Sequence, residues 1–202
     1  MSSHRQQRLR VLEELERRAK QFRTDEDLYP LRIPREPLSL EGVIEQALPG
    51  GEARLDPLAL RSRTLLELTW DDDSRWEVWV LMLPSGLKLF CDSAPDEARV
   101  LASGGRFASD ETDRQFLRLL SESGGERFGL ELHGDAPSRV RSSIPDRELL
   151  IEIFVDLFEV AHMESAVRRC LERAELRADD GVRSGDFRSE VERWLDLTFR
   201  AG

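Results

Sequence analysis

The chain has 202 residues, 40% of them hydrophobic and 35% charged, with a formal net charge of −10. That much apolar material offsets the entropy of ordering a body built around one core, whereas general nucleic-acid binding, which needs a basic face over the phosphates, is disfavoured. No apolar run approaches the roughly 20 residues of a bilayer span and no apolar signal core follows the charged start, so a cytoplasmic protein with no membrane span is expected.

Charge is unevenly spread. Residues 1 to 23 carry seven Arg/Lys against three Glu, a local +4 that leaves −14 on the remainder. Leu12, Leu15, Ala19 and Phe22 recur at steps of three and four, which predicts a basic amphipathic helix over 1–24. Its apolar seam is too short to stand alone in water and must dock, either on its own domain or on a partner. The basic arm admits a nucleic-acid or acidic-lipid contact as an alternative, with an acidic protein surface preferred. Pro30, Pro34 and Pro37 make residues 25–37 a stiff, extended linker.

The core is expected over 38–176. A short helix runs from Ser39 to Leu48, with Ser39 as N-cap. Thr64 to Trp70, Trp76 to Leu83 and Leu87 to Asp92 are rich in strand formers and separated at hairpin loop lengths, which predicts a three-stranded antiparallel meander. A short helical stretch follows around Pro95 to Ala102, then a helix from Asp110 to Ser123. Phe128 to Leu132 alternates as a strand, and Arg139 to Ile144 is its candidate partner, making about five strands. From Asp146 one long helix is predicted to about Leu176. After a linker, Phe187, Val191, Trp194, Leu195 and Thr198 mark a C-terminal amphipathic helix, so that 177–202 forms an appendage.

Chemistry is sparse in this pattern. Glu159 and His162 have a carboxylate–imidazole spacing used in di-iron bundles, but such sites need two pairs, and the chain has three histidines in all. Asp71, Asp72 and Asp73 lack the glycine and distant glutamate of a calcium loop and read as a solvated turn. Cys91 and Cys170 read as two reduced thiols. No catalytic residues, metal site or cofactor are expected.

The aromatic residues carry more. With Val78, Val80 and Met82 facing the core beside Trp76, alternation sends Trp79 and Leu81 to the other face, where Phe90 joins them among Glu67, Thr69 and Lys88. Such an aromatic island needs a cover. The candidates are the C-terminal helix through Phe187 and Trp194, the N-terminal helix, or a partner polypeptide. The expected partner-binding residues are therefore Leu12, Leu15, Phe22, Trp79, Leu81 and Phe90.

The order of helix, meander, helix, two-stranded unit and long helix from Ser39 to Leu176 resembles the fold of type III secretion chaperones and the related YbjN-like family. Thr64 to Asp92, Phe116 to Leu120, Glu126 to Leu132, Arg139 to Ile144 and the helix after Pro145 carry the likeness. It implies an acidic α+β protein, often dimeric and without enzyme activity, that holds another protein or a second copy of itself. The basic first helix, the Pro-rich linker and the last helix depart from that pattern. The expected function is thus a non-enzymatic, chaperone- or adaptor-like protein-binding module in a homo- or hetero-oligomer. The alternatives are a subunit of an enzyme complex with an unrecognised acidic site, or nucleic-acid contact through the first helix.

Overall fold

Strand formation starts where β-branched and aromatic residues begin to alternate. A computed structural model describes residues 10, 13, 17, 31–40, 63–82, 88–94, 97–104, 110–123, 134–173 and 186–201. The fold is α+β, an open and mainly antiparallel sheet packed with helices. The chain divides into two compact units, Met1–Thr64 with Val78–Phe116, and Leu65–Glu77 with Leu117–Gly202. Strands β3 (Arg63–Thr69) and β4 (Arg75–Met82) and helix α1 (Asp110–Glu122) contribute residues to both. Among the described residues no helix is long and apolar enough to cross a membrane.

In the first unit, β5 (Lys88–Ala94) and β6 (Glu97–Gly104) form an antiparallel hairpin, and β4 lies beside β5. The helix expected around Pro95 to Ala102 is replaced by β6. Glu97, Ala98, Arg99, Leu101 and Ala102 favour a helix locally, but pairing with β5 buries Val100, Leu101 and Ala102 and overrides that propensity. The outer side of β6 takes two short strands, β1 (Leu31–Arg32) and β2 (Leu38–Ser39). The Pro-rich linker is therefore partly an edge of the sheet. Leu31 is opposite Gly104 and Leu38 is opposite Val100, so residues 33–37 leave the ladder with Pro34 and Pro37 in the detour. Proline has no N–H to offer a further strand, and this edge is blunted. Ser39 ends β2 and Leu40 is helical and buried; the rest of the helix expected to Leu48 lies outside the described residues.

In the second unit, the β3–β4 hairpin turns through Asp71, Asp72, Asp73 and Ser74. Asp73 N–H donates to the Trp70 carbonyl at 3.1 Å, Trp70 N–H donates to the Ser74 carbonyl at 3.0 Å, and Asp73 takes φ 63°. Strand β3 pairs antiparallel with β7 (Arg139–Ser142), and β7 pairs in parallel with β8 (Phe199–Ala201). Arg139 to Ile144 thus finds its partner in β3. The strand expected at Phe128 to Leu132 lies outside the described residues. β8, which had no sequence signal of its own, follows directly on the last helix.

Among the described residues three further helices belong to this unit: α2 (Arg147–Val160), α3 (Glu164–Arg173) and α4 (Phe187–Thr198). Asp146 caps α2 by accepting from Leu149 N–H. Asp186 caps α4 through the Ser189 N–H and hydroxyl, both at 3.0 Å, which hold its carboxyl below the ordinary value. This cap is therefore in force above the usual carboxylate range and is lost as pH falls through the depressed value. Trp194 is fully buried, with its ring edge-on to Phe154 at 5.0 Å and Phe158 at 4.9 Å, and its Nε1 donates to the Pro137 carbonyl at 3.2 Å. Each aromatic pair adds about 0.5–1.5 kcal/mol beyond its buried area.

The single long helix expected from Asp146 breaks at residues 161–163. Met163 N–H donates to the Phe158 carbonyl at 2.7 Å, His162 N–H donates to the Glu159 carbonyl at 3.1 Å, and His162 takes φ 55°. These bonds form a Schellman stop, with histidine where glycine is usual. Buried Phe158 and Met163 supply the apolar pair that accompanies the motif. His162→Gly should raise stability by about 0.5–1 kcal/mol in urea unfolding, because the left-handed backbone strains a residue with a Cβ. His162→Val should lower it. Equal midpoints for the two variants would contradict this account of the helix break.

Candidate functional site

Strand β4 contains the apolar run Val78-Trp79-Val80-Leu81, and all four side chains are buried. Successive residues on a strand point to opposite faces, so both faces are covered here. The aromatic island expected on a polar sheet face, in need of a cover, is covered: Trp79 and Phe90 are fully buried and Leu81 is 4% exposed. The continuous apolar run was the available signal, since a one-sided strand alternates and a two-sided one does not. Met82, expected in the core, is 43% exposed at the strand end.

Helix α1 packs over Phe90. The Phe90 ring stacks on Phe116 of α1 with centroids 4.4 Å apart and planes 14° from parallel. Two residues back along the strand, Lys88 Nζ donates to Asp113 Oδ1 at 2.9 Å, three residues back along the helix. Steps of about 6.7 Å on a strand and about 4.5 Å on a helix bring both pairs into register, so α1 is pinned at two points.

Lys88 is 1% exposed and Asp113 is 4% exposed. The other Asp113 oxygen accepts from Arg63 Nη2, and Arg63 Nη1 lies 3.7 Å from Asp110. Two cations therefore face two carboxylates at the first turn of α1, where the helix dipole also favours negative charge. Of the 30 basic residues only Lys20 and Lys88 are lysine. The interior position takes the compact ammonium, while the bulkier guanidinium of Arg63 stays at the half-exposed side. A second buried charge is met in the same unit: Asp92, fully buried, accepts from Arg99 Nε at 3.1 Å and Nη2 at 2.7 Å, and the two residues are cross-strand partners.

In the second unit a smaller polar group gathers around Cys170. Arg169 Nη2 donates to the Gly134 carbonyl at 2.9 Å, Arg173 lies 3.6 Å from Asp135 and 3.9 Å from Asp71, and Trp70 Nε1 donates to the Asp135 carbonyl at 2.9 Å. Burial pushes the Cys170 thiol up, against the lowering effect of Arg173. The guanidiniums of Arg169 and Arg173 lie in solvent-exposed pairs of small worth.

Of the first segment, Arg10, Glu13 and Arg17 are helical and exposed. Leu12, Leu15 and Phe22 lie outside the described residues. The structure thus brings Trp79, Leu81 and Phe90 together inside the first unit and not on its surface. Among the described residues no three His, Cys, Asp or Glu side chains are arranged to hold a metal ion. Comparison of the chain with protein-family models, with curated proteins and with solved structures returns no match.

Trp79→Ala should cost about 3–5 kcal/mol, since it empties a fully buried volume. Lys88→Met should cost about 3 kcal/mol by leaving the Asp113 carboxylate in the interior with Arg63 alone, and adding Asp113→Leu should recover much of that loss. Denaturant unfolding of the two single variants and the double variant measures both effects; an additive double variant would contradict the pairing. Alkylation of Cys170 by iodoacetamide at neutral pH should be slower in the folded chain than in urea, because the raised thiol holds less thiolate.

Proposed function

We propose that this chain is a non-enzymatic binding module, chaperone- or adaptor-like, that holds another protein or a second copy of itself. The observation that carries this reading is the outer edge of β8. β7 pairs with one side of β8, and no strand among the described residues pairs with the other. Leu197, in the last turn of α4 entering β8, is 42% exposed, although its helix neighbours Val191, Trp194 and Leu195 are buried. An unpaired strand edge with an adjacent aliphatic side chain suits the addition of an extended segment, with backbone bonds giving affinity and the side chain giving selectivity. The proline detour on β6 withholds the equivalent opportunity from the first unit.

Two further features support the reading. The interior charges Lys88, Asp92 and Asp113 are matched by ion partners within the fold, which is the pattern of a structural network. The element order read from the sequence resembles that of secretion chaperones and points to the same class of activity, although the β3–β7 pairing and the helix break at His162 depart from it. The buried Trp79, Leu81 and Phe90 act in this reading as scaffold, and the contact surface moves to β8 and Leu197, with the basic first helix as a second element.

Leu197→Glu in the full chain tests it. Purification from the native cell should yield a stoichiometric co-eluting chain, or light scattering should give a mass above the 23.2 kDa monomer. Leu197→Glu should weaken that association about tenfold or more, roughly 1.4 kcal/mol, while changing unfolding stability by less than about 0.5 kcal/mol, as surface substitutions do. A lone monomer with no co-eluting chain, or an association unchanged by Leu197→Glu, overturns the reading.

A further inference from the structure

We draw no further inference here: the strongest candidate, the exposed face of helix α2 with Glu148, Glu152, Asp156 and Glu159 beside Val160, is an acidic cluster with nothing in the structure to show what covers it.

Discussion

Burial on both faces of a strand imposes a strict accounting of polar groups, and the first unit is organised by it. Within Val78–Leu81 and Lys88–Asp92 the side chains on either face are largely out of water. Any charge placed there must meet a partner or lose several kcal/mol. Lys88 and Asp92 are the two charges that fall in this zone, and each is answered: Lys88 by Asp113 from α1, Asp92 by Arg99 from the neighbouring strand. The first pairing locates a helix and the second locates a strand. Apolar contact alone would tolerate small slips of α1 along β5, whereas a buried carboxylate between Lys88 and Arg63 does not.

The second unit solves its packing differently. Its centre is aromatic, with Trp194 set between Phe154 and Phe158 and its indole N–H met by the main-chain carbonyl of Pro137. Hydroxyls do similar work at the β3–β7 pair, where Ser142 Oγ donates to the Leu65 carbonyl and accepts from the Ile144 N–H, both at 3.0 Å. Trp76 is the exception, with a buried Nε1 that meets no acceptor among the described residues. Such a donor costs about 1–3 kcal/mol.

Much of this fold was legible in the sequence, and the failures have physical causes. Turn residues and β-branched runs located β3, β4 and β5, Asp146 marked the start of α2, and the apolar spacing from Phe187 marked α4. The β6 segment misled because its composition favours a helix while its place beside β5 decides otherwise. The stop at His162 was hidden because histidine gives no warning of a left-handed backbone. β8 was hidden because three residues carry no periodicity. For the candidate site, alternation was applied to Trp79 and Leu81 where the uninterrupted apolar run called for two-sided burial. The ion partners of Lys88 could not be read, since a contact 25 residues away along the chain depends on how the helix lands on the sheet.

The scarcity of lysine has a chemical consequence. Beyond residue 23 the only side-chain primary amine is that of Lys88, and it is sealed beneath helix α1. The folded body therefore offers acylating reagents arginine-rich surface on which they find no amine. Labelling of Lys88 requires the seal to open, so its rate would report how often α1 lifts from β5.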